Sequence, residues 1–372
     1  MASKIFMDDM PELTEKILNN LNNDFYSLYS PEIFYSLGRN DLFFSRLQDL
    51  SLGPIPDSTE NVIVLLKILA KNATKISALK LEEFYCDYEP QLLYALICII
   101  ESQEQLQQFS LVGGEGFTIE FHSIISALES QKNSLQKVVI ECCAFTTEFK
   151  VLSDCKNLEY FHVRYCGDVK IFETSLNTLE ITDCSVTTSN IIQILQKSGS
   201  LLQRLKLEST YEVYLKKSLL LEALKSFCPN ITYLDIPCII LSTQLVELIG
   251  DLQKLQFLTL WHINCIPEDP KIGVLKFAKV LPSTLQYLDL RYSCLNSYID
   301  ILLNNCNAPL KNLLINHINN EKTTKTLVEF CIRKRSLNYV GVEEYLNLDD
   351  SIIKKLEGYV TLMPCECIVV NC

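Results

Sequence analysis

Positive charge is scarce in this sequence. Its 372 residues carry 33 Lys and Arg against 45 Asp and Glu, a net charge of −12, and no basic block interrupts the acidic excess. A protein that binds nucleic acid in general needs Lys and Arg to neutralise phosphates. General nucleic-acid binding is therefore not expected.

Long apolar runs are also missing. The longest candidate, residues 92–100, is far shorter than the roughly 18 residues needed to span a bilayer. Asp8, Asp9 and Glu12 interrupt the place where a secretory signal would need its apolar core. The sequence therefore predicts no membrane attachment and a cytoplasmic or nuclear location, where the 16 cysteines are expected to be reduced.

Histidine is rare, with four copies, and none stands at metal-ligand spacing from a second histidine or a cysteine pair. The C-terminal Cys365, Cys367 and Cys372 have no fourth ligand near them in the sequence. Neither a Ser-His-Asp set, a Cys-His set nor a pair of catalytic carboxylates can be placed. We therefore expect no metal, no cofactor and no enzymatic activity.

A repeated pattern is abundant instead, with apolar residues at positions 1, 4 and 6 of a six-residue unit. Positions 4 and 6 lie on one side of a short strand, and amphipathic stretches such as residues 60–73 and 90–102 predict helices between the strands. The spacing averages about 26 residues. The twelve copies begin at Leu47, Ile76, Leu106, Leu135, Leu158, Leu176, Leu202, Ile231, Leu255, Leu285, Leu310 and Leu337.

This pattern resembles the leucine-rich-repeat family over residues 41–345. A cysteine three or four residues after position 6 recurs at Cys143, Cys166, Cys184 and Cys294, and in this family such a residue turns the chain away from the strand. The cysteine-bearing form is most similar to the repeats of F-box/leucine-rich-repeat proteins. The resemblance implies an α/β fold: a leucine-rich-repeat solenoid, with a curved parallel sheet and outer helices, closed by a C-terminal cap and tail at 346–372.

The N-terminal segment, residues 1–40, is similar to an incomplete F-box. "MPELTEKILNNL" resembles the first F-box helix and "DFYSLYS" the second, but Pro31 follows directly and a third helix is missing. The resemblance implies weakened binding to a Skp-type adaptor and its cullin. The alternative is an N-terminal cap that shields the first repeat. The residues implied in adaptor binding are Met10, Pro11, Leu13, Ile17, Leu18 and Leu21.

Positions 3, 5 and 7 of each copy point away from the core, so we expect them to be solvent-exposed on the concave face. Tyr233, Phe257 and Tyr287 fall in one column on neighbouring strands, with Trp261 beside them. We interpret these positions as a protein-binding surface; the alternative is local packing of aromatics that suit strands. The predicted surface residues are Tyr160, His162, Arg164, Tyr233, Asp235, Phe257, Thr259, Trp261, Tyr287, Asp289 and Arg291.

Together these features favour a substrate-recognition subunit of an SCF-type E3 ubiquitin ligase. It would bind a target protein on the concave face for ubiquitin-dependent degradation, be monomeric outside the complex and leave ligase activity to its partner subunits. The alternative is a leucine-rich-repeat scaffold that has lost adaptor binding.

Overall fold

The computed structural model describes residues 44–53, 60–84, 90–114, 119–144, 150–167, 175–208, 217–264, 269–318 and 321–368. The F-box-like segment and its six predicted adaptor-binding residues (Met10, Pro11, Leu13, Ile17, Leu18 and Leu21) lie outside the described residues. The chain forms two compact units, Met1–Ser175 and Leu176–Cys372, and each is described by itself.

The first unit contains a parallel sheet in which β1, β2, β3, β5 and β7 are neighbours in that order. The short strands β4 and β6 pair separately, and a 3-10 helix, Leu128–Gln131, follows α3. The strands are β1 (Asp49–Leu52), β2 (Ala78–Phe84), β3 (Gln108–Gly113), β4 (Ile119–Glu120), β5 (Lys137–Glu141), β6 (Cys143–Ala144) and β7 (Tyr160–Arg164). The helices are α1 (Glu60–Asn72), α2 (Pro90–Glu101), α3 (His122–Ala127) and α4 (Lys150–Ser153).

The second unit continues the same alternation, with β8 to β15 paired in parallel in chain order. The strands are β8 (Thr178–Thr182), β9 (Arg204–Glu208), β10 (Tyr233–Asp235), β11 (Phe257–Thr259), β12 (Tyr287–Asp289), β13 (Asn312–Ile315), β14 (Tyr339–Val342) and β15 (Thr361–Pro364). The helices are α5 (Thr188–Ser198), α6 (Lys217–Phe227), α7 (Thr243–Asp251), α8 (Pro270–Val280), α9 (Ile299–Asn305), α10 (Glu321–Lys334) and α11 (Asp350–Leu356). Short 3-10 helices lie at Cys294–Tyr298, Tyr345–Asn347 and Cys365–Cys367.

The twelve predicted strands are confirmed, because a strand begins at position 3 of every copy of the pattern. Positions 1, 4 and 6 are buried in all twelve copies, as in the copy formed by Leu158, Phe161 and Val163. The helices bury their apolar residues as well, among them Ile191, Ile194 and Leu195 of α5. Both units therefore have the leucine-rich-repeat fold expected from the sequence.

The chain leaves the strands through a recurring left-handed residue at position 8, two residues beyond the last apolar position. In seven copies this residue has a positive φ between 50° and 55°, a conformation that non-glycine residues adopt only sparingly. The cysteine at position 9 is buried in three of these copies, and its thiol donates to the carbonyl oxygen of position 7. The predicted turning role is thus confirmed for Cys143, Cys166 and Cys184.

Cys294 differs from this pattern, since it stands at position 10 of its copy and is disulfide-bonded. The expectation that every cysteine is reduced is therefore wrong at this position. Twelve other described cysteines carry free thiols, and burial raises the pKa of Cys155 to about 11 and that of Cys228 to about 12. Such thiols stay protonated and unreactive at neutral pH.

The C-terminal segment 346–372, expected to close the array with a helix over residues 348–363, forms the shorter helix α11 and then the strand β15, so the expected helix is wrong over Thr361–Met363. β15 pairs in parallel with β14, with Leu362 opposite Val340. Within the part of the chain that the structure describes, no helix is long and apolar enough to cross a membrane.

Candidate protein-binding surface

The side of the second unit's sheet that faces away from its helices carries most of the predicted surface residues. We call Tyr233, Asp235, Phe257, Thr259, Trp261, Tyr287, Asp289 and Arg291 the aromatic face. In β10, β11 and β12 the apolar position 4 is buried against the helices, so the alternation of a strand turns positions 3 and 5 to the opposite side.

The predicted column of aromatic rings is confirmed by the strand register. Tyr233 pairs with Phe257, and Phe257 pairs with Tyr287. The ring centroids lie 6.3 Å and 6.0 Å apart along the column, a separation at which tilted aromatic pairs attract each other. The register also places Asp235, Thr259 and Asp289 side by side in the next row.

The predicted exposure is wrong for four of these residues, which are buried: Tyr287 and the middle row of Asp235, Thr259 and Asp289. The other four are half-buried: Tyr233, Phe257, Trp261 and Arg291. The short side chains of Thr259 and Asp289 lie between larger side chains at positions 3 and 7 of their own copies, which shield them from water.

Tyr287 is buried for another reason, which is its contact with the C-terminal segment. It is 6% exposed and forms an apolar cluster with Leu314 of β13 and with Cys365, while Phe257 and Ile368 pack against this cluster. Burial raises the pKa of the Tyr287 phenol above its ordinary value. Tyr287 is thus part of a small second core on the side of the sheet that faces away from the helices.

Asp289 organises the polar half of the aromatic face. The Trp261 indole Nε1 donates to Asp289 Oδ2 at 3.0 Å, and Arg291 Nε donates to Oδ1 at 3.1 Å and Nη2 to Oδ2 at 3.0 Å. The Arg291 guanidinium also lies 4.6 Å from the centre of a Trp261 ring, within cation–π distance. The hydrogen bond to Asp289 and the contact with Arg291 therefore both hold the Trp261 indole in one orientation.

The charge of Arg291 is retained despite its partial burial. Desolvation alone would lower its pKa, but hydrogen bonds to Asp289 and to Glu343, at 3.1 Å, leave the pKa raised. The Tyr292 hydroxyl donates to the other Glu343 oxygen at 2.7 Å, and this bond is the largest of the causes that lower the pKa of Glu343. These contacts join Asp289, Arg291 and Glu343 into one ionic network within the second unit.

Two residues missed by the sequence analysis extend this network into solvent. His262 and Tyr292 occupy position 8 of their copies, where the left-handed backbone follows Trp261 and Arg291. Their rings stack with centroids 5.4 Å apart and planes at 18°, and Tyr292 meets Trp261 edge-on at 6.2 Å. Tyr292 is 45% exposed and His262 is exposed as well. The signal available in the sequence was a ring-bearing residue at position 8, directly after Trp261 in one copy and after Arg291 in the next.

Charged neighbours surround the other end of the column, on β9. The Arg204 guanidinium carbon lies 3.7 Å from the centre of the Tyr233 ring, and Arg204 Nε donates a hydrogen bond to Glu180 Oε1 at 2.5 Å. Lys206 Nζ lies 4.0 Å from Asp235 Oδ2. Burial nevertheless raises the pKa of Asp235 to about 7, because desolvation outweighs the attraction of Lys206 at this distance.

Tyr160, His162 and Arg164 belong to β7 in the first unit and are half-buried. Lys137 lies 4.6 Å above the Tyr160 ring, and His162 Nε2 is 3.6 Å from Glu141 Oε1. These contacts arise within the first unit, so the three residues form a set of their own.

No family model matches this chain, and no curated protein matches it either. Among solved structures, a chain from a crystal structure of the Rad7 and Elc1 complex in yeast has 15% identity and a TM-score of 0.45, with 96% of this chain and 93% of that chain covered. The leucine-rich repeat-containing protein LegL7 from Legionella pneumophila has 12% identity and a TM-score of 0.34, with 89% of each chain covered. A leucine-rich-repeat protein of Leptospira interrogans has 13% identity and a TM-score of 0.32, with 88% of this chain and 98% of that chain covered.

Both units have a leucine-rich-repeat fold, and the second unit carries an aromatic and ionic cluster that its own hydrogen bonds hold in place. Among the described residues, no group of three or more His, Cys, Asp or Glu side chains is arranged to hold a metal ion.

Proposed function

We propose that this protein is a substrate receptor: its aromatic face binds a target protein, and its N-terminal segment joins a Skp-type adaptor of a cullin-based ubiquitin ligase. The observation that carries the binding role is the fixed cluster of Trp261, Arg291 and Tyr292. Tryptophan, tyrosine and arginine are the residues that most often dominate protein interfaces. A side chain already held in place loses little entropy on binding.

The adaptor role is supported by the resemblance of residues 10–30 to two F-box helices. Their apolar face is the kind of surface that a helix buries in a hydrophobic groove. In this proposal the protein carries no catalytic group, ligase activity resides in the partner subunits, and the complex works in the cytoplasm or nucleus.

The second candidate is a leucine-rich-repeat scaffold without adaptor binding, favoured by the incomplete F-box. Specific interfaces bury about 1,600 Å² in total, so losing one of three helices would leave a weak contact. Short helices are also marginal without neighbours.

Titration of a purified Skp-type adaptor against the full chain and an intact F-box protein separates the two candidates. The receptor function predicts binding at least tenfold weaker than that of the intact F-box, abolished by the double substitution Leu13→Asp and Ile17→Asp. Binding that is unaffected by the double substitution, or no binding at all, would contradict the receptor function, and no binding would favour the scaffold.

A further inference from the structure

The C-terminal segment that follows β15 lies against the same side of the sheet as the aromatic face. After Pro364 the chain forms the 3-10 helix Cys365–Cys367, in which Cys365 is only 2% exposed. Cys365 belongs to the apolar cluster of Tyr287 and Leu314, and Ile368 packs against that cluster. A segment distant in sequence thus covers the apolar half of a surface whose polar half remains open.

Gly341 makes room for this segment. It stands at position 5 of the β14 copy, in the row that Asp289 and Leu314 occupy on β12 and β13. A Cβ atom here would lie 2.9 Å from Leu314 Cγ, 3.0 Å from Ile368 Cδ1 and 3.2 Å from Cys365 Sγ. The distance to Leu314 is shorter than real Cβ contacts, and the distances to Ile368 and Cys365 are tighter than most of them, so a larger residue would force Leu314 and the segment to shift.

The contact is small and mainly apolar, although the Cys365 thiol also donates to the Ile315 carbonyl oxygen at 3.9 Å and hydrogen-bonds the Glu343 carboxylate. Burial raises the pKa of the Cys365 thiol to about 12, so this side chain is uncharged at neutral pH. It lies beside the Arg291–Asp289–Glu343 network, which satisfies its own charges. Two side chains bury far less area than a standard protein interface, so a larger ligand can displace them.

We propose that Cys365–Ile368 is an intramolecular competitor for the aromatic face, and that the partner places a branched aliphatic side chain where Ile368 lies in the free protein. This inference rests on the proposed function of the face in partner binding. It specifies the ligand chemistry: an extended apolar segment, whose aliphatic side chain meets Tyr287 and Leu314 while its neighbours reach Trp261 and Tyr292.

The test compares Ile368→Asp with Cys367→Asp in the full chain. Both add one carboxylate to the same segment, but Ile368 is packed against the cluster whereas Cys367 is exposed. Site-resolved alkylation, read by mass spectrometry, measures access to Cys365. We expect alkylation of Cys365 to become at least tenfold faster in Ile368→Asp and to stay at the wild-type rate in Cys367→Asp.

Binding of a synthetic peptide tests the competition. The probe has the sequence of residues 365–372 with serine in place of each cysteine, and Trp261 fluorescence reports its binding. We expect at least fivefold tighter binding to Ile368→Asp than to Cys367→Asp, and no binding of the same peptide carrying Asp in place of Ile368. If Ile368→Asp fails to fold, Ile368→Ala replaces it in both measurements.

Equal alkylation rates, or equal affinities of the two variants for the peptide, would overturn this inference, as would peptide that binds neither variant. These outcomes leave the proposed function untouched, because partner binding by Trp261 and adaptor binding by the N-terminal segment are measured on other variants.

Discussion

A buried carboxyl group on the aromatic face, Asp235, makes the second unit sensitive to pH. Its ordinary pKa of 3.8 rises to about 7 through burial. Between these two values the folded protein holds the proton and the unfolded chain releases it. The folded state therefore loses stability as pH rises through this interval, and the loss is complete above pH 7.

The first prediction is that Asp235→Asn abolishes this loss. We expect the variant to be more stable than the wild type at pH 8, by on the order of 2 kcal/mol, and to differ little from it near pH 4. Urea unfolding across this pH range measures the effect, with the exposed Asp49→Asn as control. If the free energy of unfolding of Asp235→Asn falls with pH as steeply as that of the wild type, another group is responsible for the pH dependence.

Residue-level exposure was the part of the site that the sequence predicted least well. The period-2 alternation placed Tyr287 and Asp289 on the correct side of the sheet. Their burial comes from Trp261, Arg291 and the segment at Cys365, which are side-chain contacts that alternation does not encode. His262 and Tyr292 were missed because they have a left-handed backbone after the strand ends. The alternation of a strand does not predict which way such side chains point.

At the scale of strands and helices, the repeated pattern predicted twelve of the fifteen strands that the described residues form, and it missed β4, β6 and β15. Each of the twelve copies supplies apolar residues at all three core positions, so its strand could be located to the residue. β15 was missed because its copy has Tyr359 at position 1 and Pro364 at position 6, and only Leu362 keeps the pattern. It forms because β14 offers a free edge for pairing.

Buried glutamines link neighbouring repeats in the first unit. Gln131 Oε1 accepts from the Leu106 backbone N–H at 3.1 Å, and its Nε2 donates to the carbonyl oxygens of Ile100 and Gln103 at 3.0 Å each. Gln103 repeats the arrangement one copy earlier, accepting from Ile76 N–H at 2.9 Å. These side-chain amides thus bond backbone N–H and carbonyl groups that lie outside the hydrogen bonds between strands.

The second prediction is that Gln131→Met destabilises the protein by about 2 kcal/mol or more, since it fills similar space but leaves these buried backbone groups unsatisfied. Chemical denaturation measures the change, and the matched control is Gln136→Met at an exposed position of the same unit. Equal stability of the two variants would mean that water replaces the amide.

For the whole molecule, the unbroken pattern predicts one continuous array over residues 41–345, whereas the structure divides the chain into compact units at Ser175 and Leu176. Repeats are stabilised by their neighbours, so we expect the array to unfold without leaving a stable half. Limited proteolysis should then yield no lasting fragment. A clean cut near residue 170 that leaves two folded pieces would contradict this prediction.

Partner binding by the aromatic face is tested most directly by titrating a purified partner against three forms of the protein. The partner is first selected as a protein recovered with the wild type, without reference to any variant. Calorimetry then compares the wild type, Trp261→Ala and Tyr359→Ala, the last being an exposed aromatic residue outside the aromatic face. We predict a loss of about 2 kcal/mol, roughly thirtyfold in affinity, for Trp261→Ala and no change for Tyr359→Ala. Equal affinity of all three forms would contradict a binding role for this face.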